Sequence, residues 1–222
     1  MARAARSPVR TSCSPASEVS WLDWARQLQA IAQTGASYEA HPYHAERYER
    51  VRRIASEIMA AGTGGEVEKL DESFAAEVGH ATPKLDVRAA AFRGEEILLV
   101  RERLSGLWTL PGGWAEVGDS AAESAVREAR EESGFAMRAT KLVALHDRER
   151  RGYGPHPWYT YKATFLCDLL DGQPAEHDHE VLEVGFFGQD ALPTLDRNRT
   201  APELVALCFA HRRSPARQTE FD

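Results

Sequence analysis

The sequence has few of the features that mark secreted, membrane-spanning and nucleic-acid-binding proteins. Its three cysteines, Cys13, Cys167 and Cys208, form neither a CxxC pair nor a disulfide framework, which favours a reducing cytoplasm. No stretch approaches the roughly 18 apolar residues that a membrane span needs. A formal net charge of -7 disfavours stable binding to nucleic acid or to an anionic membrane, because both attract a basic excess.

The two ends of the chain are polar, and the part between them has the composition of a folded protein. Hydrophobic residues make up 43% of the sequence and aromatic residues 9%. The opening stretch, MARAARSPVRTSCSPAS, contains arginines but lacks the apolar region of a secretory signal. We expect residues 1–16 to form a disordered tail, with an organelle transit peptide as the alternative. Residues 214–222 are expected to form a flexible C-terminal tail.

Residues 17–80 have the periodicity of a small all-α domain. Apolar residues recur at helical spacing in SEVSWLDWARQLQAIAQTG, in AERYERVRRIASEIMAAG and, more weakly, in VEKLDESFAAEV. Gly35 and Gly62 are predicted to end the first two helices, and Trp21 and Trp24 to form the core. We expect this unit to mediate dimerisation or to cover the substrate.

The pattern changes near Pro83, where strand-like segments begin. KLDVRAAAF and EEILLVRE are predicted strands joined by a turn at RGE, and MRATKLVALHD, PWYTYKATFLCDLL and VLEVGFF are later candidates. An acidic helix lies between them, and APELVALCFAHRR is predicted to form a closing helix. Strands interrupted by a central and a terminal helix indicate an α/β fold in which helices cover a mixed sheet.

The acidic helix, within GDSAAESAVREAREESGF, carries its carboxylates beside the apolar face. At about 100° per residue, Glu132 lies about 40° to one side of Glu128 and Glu131 about 60° to the other. Like charges at this spacing repel each other. One interpretation is a solvated helix stabilised by i,i+4 ion pairs. The other is a site for a hard divalent cation, which clustered carboxylates bind readily.

The loop before this helix favours the second interpretation. Gly112 and Gly113 permit a tight turn that exposes backbone carbonyls. Ser120 and Glu123 have the spacing of a capping box, which predicts the start of the helix. A glycine loop that leads into a capped helix with an acidic edge is suited to holding a metal ion and phosphate.

These residues resemble the signature of the Nudix hydrolases. The match comprises Gly113, Asp119 and the run REAREESGF from Arg127 to Phe135, at the family's spacing. The family usually has Glu where this chain has Asp119, which is a conservative difference. The resemblance implies a Nudix-like α/β/α sandwich with a mixed sheet over residues 83–213. WLDWARQLQAIAQTG and YERVRRIASEI also resemble the helical N-terminal domain of a Nudix subgroup that contains CDP-choline and ADP-ribose pyrophosphatases.

The resemblance implies a Mg²⁺ site, with Mn²⁺ as a possible substitute. Glu128 and Glu132 would be the principal ligands, and the carbonyl of Gly112 or Gly113 would complete the coordination shell. Glu131 would bind the metal through water or act as a base.

The resemblance also assigns supporting roles around the metal. Arg127 would orient Glu131 through an ion pair, and Glu180 would act as a base or an extra ligand. Glu176 and Glu183 are weaker candidates for that last role. His177 and His179 form an HxH pair, which we interpret as exposed bystanders because phosphate chemistry prefers oxygen ligands.

Aromatic and basic residues outside the helix are candidate substrate contacts. Trp114 would either stack on a nucleotide base or cover the sheet. Tyr153, His156 and Trp158 would line the nucleotide pocket. Arg148 would meet phosphate, the alternative being a solvated charge run in RERR.

The function implied is hydrolysis of the pyrophosphate bond in a nucleoside diphosphate linked to another moiety, of the ADP-ribose or CDP-choline type. One alternative is a nucleoside triphosphate or RNA 5′-end pyrophosphohydrolase, against which the acidic balance argues mildly. Another is a regulator that senses a nucleotide sugar without hydrolysing it. We expect a cytoplasmic homodimer.

Overall fold

The computed structural model describes residues 21–38, 41–173 and 180–222. The predicted tail at 1–16 lies outside these ranges. The chain divides into two compact units between Ala81 and Thr82. No helix within the described ranges has both the length and the apolar character needed to cross a membrane.

The first unit consists of three α-helices, α1 (Trp21–Tyr38), α2 (Pro42–Thr63) and α3 (Val67–Ala76). The predicted helix ends at Gly35 and Gly62 are wrong, because both glycines lie inside helices. A Cβ at Gly35 would overlap the ring of Tyr48, and one at Gly62 would overlap the indole of Trp21. These glycines allow α1 and α2 to approach each other closely.

The core of this unit is built from small residues and a few large ones. Ala25, Ala55 and Met59 are fully buried, and Phe74 of α3 is 1% exposed. The prediction that Trp24 belongs to the core is wrong, since 54% of this residue is exposed. The buried residues of α1 are Leu22, Ala25, Arg26, Gln29 and Ala32, which lie on another side of the helix.

The second unit contains two helices and a mixed sheet of seven strands within the described residues. Its elements are β1 (Lys84–Arg93), β2 (Glu96–Glu102), β3 (Trp108–Thr109), α4 (Ala121–Ser133), β4 (Phe135–Asp147), β5 (Thr160–Gly172), β6 (Val181–Gly188), α5 (Pro202–Arg213) and β7 (Glu220–Phe221). The strand order is β3-β2-β1-β5-β4-β7, with β6 paired to β2. β1 and β5 pair in parallel, whereas β4 and β5 pair antiparallel.

The two helices cover opposite faces of this sheet. Successive residues of a strand point to opposite faces, and β1 shows this directly. Ala89 belongs to the apolar cluster that contains Ala129 of α4, whereas Ala90 belongs to the cluster that contains Val205 of α5. The predicted α/β/α sandwich with a mixed sheet, preceded by an all-α domain, is confirmed.

Residues 214–222, which the sequence predicts to be a flexible C-terminal tail, include the strand β7. β7 pairs in parallel with β4, where Ala144 lies opposite Glu220. The hydroxyl of Thr219 donates to the carbonyl of Leu142 at 2.7 Å. The polar stretch SPARQTEFD has no apolar period from which a strand would be predicted. It is held instead by partners that lie some 75 residues earlier in the chain.

Candidate active site

The loop between β3 and α4 is fixed to two elements. The amide of Val87 on β1 donates to the carbonyl of Gly113 at 2.8 Å. The amide of Gly112 donates to a carboxylate oxygen of Glu132 at 2.9 Å. Gly112 has φ 137°, which favours glycine, and a Cβ there would overlap the Val87 carbonyl. No larger residue fits at this position without a shift of the loop.

α4 begins and ends with strong local signals. The hydroxyl of Ser120 accepts the amide of Glu123 at 3.2 Å, and the Glu123 carboxylate accepts the amide of Ser120 at 2.8 Å. The predicted capping box is thus present, and Gly134 ends the helix. Ala125 and Ala129 are fully buried against the sheet. This orientation directs the neighbouring edge of α4 toward the glycine loop.

Two of the three predicted acidic residues on α4 line one cavity, which has a volume of about 950 Å³. Glu128 and Glu132 both face it, and their side chains are largely buried. The Glu131 side chain is 61% exposed and borders a separate surface groove. An arc of about 100° on this helix therefore spans two surfaces.

Arg127 connects the acidic residues along this edge. Its guanidinium lies 2.8 Å from the Glu128 carboxylate, 3.1 Å from Asp119 and 3.2 Å from Glu131. The predicted ion pair with Glu131 is present. Arg127 itself does not line the cavity, so its geometry fits an orienting role.

The cavity holds Glu132 in a setting that disfavours its negative charge. Burial raises the pKa of this carboxyl to about 7, against the opposing effects of Arg88 and the Gly112 amide. The charges of Glu102 and Glu128 raise this pKa further. A cation placed near Glu132 would relieve this cost.

The donor set fits a hard divalent cation that is coordinated partly by the protein and partly by water or substrate. Among the described residues, no three His, Cys, Asp or Glu side chains are grouped closely enough to hold a metal ion by themselves. Mg²⁺ is usually bound by one or two carboxylates together with waters and substrate phosphates. Glu128, Glu132 and a carbonyl of the glycine loop match that pattern.

A buried cationic group forms another part of the cavity wall. Arg88 makes two hydrogen bonds to Asp86, at 2.8 and 2.9 Å, and the Lys162 ammonium lies 2.7 Å from the same carboxylate. All three residues are at most 7% exposed. Burial lowers the pKa of Lys162 to about 8, although Asp86 opposes this shift. The group has two positive charges and one negative, so it is suited to an anionic ligand.

The loop after β4 contributes further groups to the wall. Arg148 is 4% exposed and donates to the carbonyls of Gly154, at 2.7 Å, and Asn198, at 3.3 Å. The ring centroid of His156 lies 5.9 Å from that of Trp114, and both residues line the cavity. Tyr153 lies behind this wall, and its ring contacts the cations of Arg148 and Lys162.

Acidic residues also line the wall that β2 and the loop before β6 provide. Glu102 lies 3.0 Å from Arg199, and burial raises the pKa of its carboxyl despite this partner. Glu180 and Asp196 line the same cavity. Glu183 pairs with Arg101 outside it. The candidates Glu176, His177 and His179 lie outside the described residues.

The structure thus brings most of the predicted site residues into one cavity. Those that line it are Gly112, Gly113, Trp114, Glu128, Glu132, Arg148, His156 and Glu180. Those that do not are Arg127, Glu131, Tyr153 and Trp158. Sequence reasoning missed Asp86, Arg88 and Lys162. The sequence feature that could have indicated them is the presence of charged residues within otherwise apolar predicted strands.

Comparisons with known proteins identify two domains in the chain. A Nudix domain model matches residues 82–208, and a model for a UDP-X-like, N-terminal oligomerisation domain matches residues 19–74. The Bacillus subtilis (strain 168) protein named "Putative ADP-ribose pyrophosphatase YjhB" is 38% identical over 92% of this chain and 98% of its own length.

Two solved structures are similar along much of the chain. An ADP-ribose pyrophosphatase from Streptococcus suis 89-1591 is 40% identical, with a TM-score of 0.58, over 64% of this chain and 100% of that one. A UDP-X diphosphatase is 32% identical, with a TM-score of 0.59, over 91% of this chain and 98% of that one. Nudix hydrolases generally use divalent metal cations. From its domain match and its long relatives, this chain belongs to the Nudix hydrolase family.

Proposed function

We propose that this enzyme hydrolyses the pyrophosphate bond of a nucleoside diphosphate linked to another moiety, with Mg²⁺ or Mn²⁺ as cofactor. The observation that carries the proposal is the division of one cavity into an acidic edge and a cationic wall. Glu128 and Glu132 lie on the acidic edge, whereas Arg148 and Lys162 supply positive charge. A diphosphate can use both at once, through a cation on one side and direct ion pairs on the other.

Each group then has a defined task. Glu128 and Glu132 hold the cation, which when bound offsets phosphoryl charge and lowers the pKa of water. Arg148 and Lys162 orient the phosphates. Glu180 lines the cavity and accepts a proton from the attacking water. Glu131 is disfavoured as that base because its side chain is mostly exposed and lies beyond the cavity.

The paired rings of Trp114 and His156 support a nucleotide base as the second recognised group. Their planes are tilted by 49° at a centroid distance of 5.9 Å, and Trp114 is 43% exposed. Aromatic faces stack on any base, so this contact tolerates different nucleosides. The names of the relatives favour ADP-ribose and UDP-linked compounds, and the N-terminal resemblance adds CDP-choline.

A substrate panel tests the proposal. Purified enzyme is incubated with Mg²⁺ and ADP-ribose, CDP-choline, a UDP-sugar, ATP or 5′-capped RNA, and the products are identified. We expect nucleoside monophosphate from at least one diphosphate compound, and no turnover after Glu128→Gln. Glu95→Gln, in the exposed β1–β2 turn, is the matched control. Turnover of ATP or capped RNA alone would favour the alternative hydrolases. Tight binding without turnover of any compound would favour a sensor.

A second pair of variants tests the base. Glu180→Gln should lower kcat by about 10²-fold or more, as loss of a general base does. Glu183→Gln, three residues further along, should leave kcat unchanged. If Glu131→Gln lowers kcat and Glu180→Gln does not, the assignment of the base to Glu180 is wrong.

We also propose that the helical unit forms a homodimer. Trp24 and Ile31 of α1 are 54% and 57% exposed and lie on one side of the helix, with Leu28 between them. Exposed apolar stripes of this kind mark protein interfaces. The match of residues 19–74 to an oligomerisation domain supports this assignment.

A further inference from the structure

The loop that begins at Asp147 is organised by one carboxylate. Asp147 accepts the amide of Glu149 at 3.0 Å and the hydroxyl of Tyr159 at 2.6 Å. The short 3-10 turn that follows, Arg148–Arg151, therefore starts from a fixed point. The 147–158 loop supplies Arg148 and His156 to the cavity.

The last residues of the sequence hold this same turn from outside. Asp222 accepts the backbone amide of Asp147 at 2.7 Å, and its other carboxylate oxygen lies 2.8 Å from Arg151. Glu220 lies 2.9 Å from the same guanidinium. Arg151 is thus bound by two carboxylates, and one of these, Asp222, also binds the amide of Asp147.

These contacts come from a segment with its own anchor. We define residues 215–222 as the C-terminal clasp. The Lys141 ammonium donates to the carbonyl of Pro215 at 2.8 Å, the Thr219 hydroxyl donates to Leu142, and β7 pairs with β4. The clasp therefore joins the turn to the long strand that precedes it.

We propose that the C-terminal clasp positions Arg148 for substrate binding, an inference that rests on the proposed function. Arg148 donates to the carbonyls of Gly154 and Asn198. The clasp contacts two other residues of the same turn region, Asp147 and Arg151, through Asp222. Holding the loop before substrate arrives removes part of the ordering cost of binding. Asp222 is accordingly a positioning residue, and its loss acts on KM more than on kcat.

The test uses the full chain with Asp222→Asn, which keeps the size of the side chain but removes its charge. Asp190→Asn is the matched control, because this residue is exposed in a turn after β6. Thermal melting establishes that both variants are folded. The first readout is limited trypsin digestion without substrate, followed by mass spectrometry for cleavage after Arg150 and Arg151.

The second readout is the steady-state hydrolysis of ADP-ribose, or of whichever diphosphate the wild type cleaves. We expect Asp222→Asn to speed cleavage in the 147–158 loop several-fold and to raise KM about fivefold, with kcat within about twofold of wild type. Asp190→Asn should match the wild type in both readouts.

The two proposals fail separately. If the wild type hydrolyses no compound, the proposed function fails, and the digestion alone decides whether the clasp holds the loop. If Asp222→Asn is cleaved at the same rate as Asp190→Asn, the clasp does not hold the loop. Faster cleavage with an unchanged KM, or a fall in kcat alone, would refute the positioning of Arg148.

Discussion

Replacing each of the two loop glycines by alanine should separate folding from catalysis. A Cβ at Gly113 would lie 2.7 Å from a carboxylate oxygen of Glu128, which is the flexible end of a side chain. That oxygen must move by about 0.7 Å to reach an ordinary contact distance. A Cβ at Gly112 would instead overlap the backbone carbonyl of Val87 and lie 3.0 Å from the Cα of Arg88.

The two variants therefore have different expected magnitudes. Gly113→Ala should change the free energy of unfolding by less than about 1 kcal/mol, because only a side chain moves. Its kcat should fall by about 10²-fold, the loss that displacement of a catalytic group by up to 1 Å can cause. Gly112→Ala combines a strained φ with a backbone overlap, which together cost roughly 2–5 kcal/mol.

Thermal melting and metal-dependent hydrolysis measure both effects. At roughly 2–4 °C per kcal/mol for a chain of this size, Gly112→Ala should melt about 4–20 °C lower than the wild type. Gly113→Ala should melt within a few degrees of it. Wild-type turnover by a folded Gly113→Ala enzyme would refute the argument that the position of the Glu128 carboxylate matters. An unchanged melting temperature for Gly112→Ala would refute the argument from strain.

Three further predictions concern other parts of the molecule. The pKa of Lys162 is about 8, so its ammonium is charged below that pH. In a pH profile of the wild type, kcat/KM for an anionic substrate should therefore fall above about pH 8. The same fall should be absent from the profile of Lys162→Met. A double variant Trp24→Asp/Ile31→Asp should shift the mass measured by light scattering from dimer to monomer, whereas a wild-type monomer would contradict the proposed interface. Ser120→Ala should lower the free energy of unfolding by about 1 kcal/mol, measured by denaturant titration, with kcat unchanged.

The sequence predicted those features that depend on neighbours along the chain. The capping box at Ser120, the course of α4 and the shared arc of Glu128 and Glu132 follow from local spacing. The placement of these glutamates beside the glycine loop was implied by the resemblance to the Nudix signature. The same spacing put Glu131 on the acidic arc but did not show that the edge of the cavity passes between Glu128 and Glu131. Where a wall of the cavity ends depends on the neighbouring strands, which helical periodicity does not describe.

The features that the sequence did not predict depend on distant pairing. Asp86 and Lys162 are 76 positions apart and meet only because β1 and β5 pair in parallel, with these two residues in register. Asp222 and Asp147 are 75 positions apart and meet at the edge of the sheet. Gly35 and Gly62 were predicted to be helix ends because glycine is common there. Glycine is also required where two helices approach closely, and the sequence alone does not distinguish the two cases.

The attachment of the 112–113 loop to both β1 and α4 has a consequence for how the enzyme opens and closes. A backbone tied on two sides cannot swing to admit a ligand without breaking hydrogen bonds on the central strand. Entry and product release must therefore be controlled by other segments around the rim. In hydrogen-exchange measurements, the Val87 amide should exchange at one slow rate whether or not a nucleotide is bound.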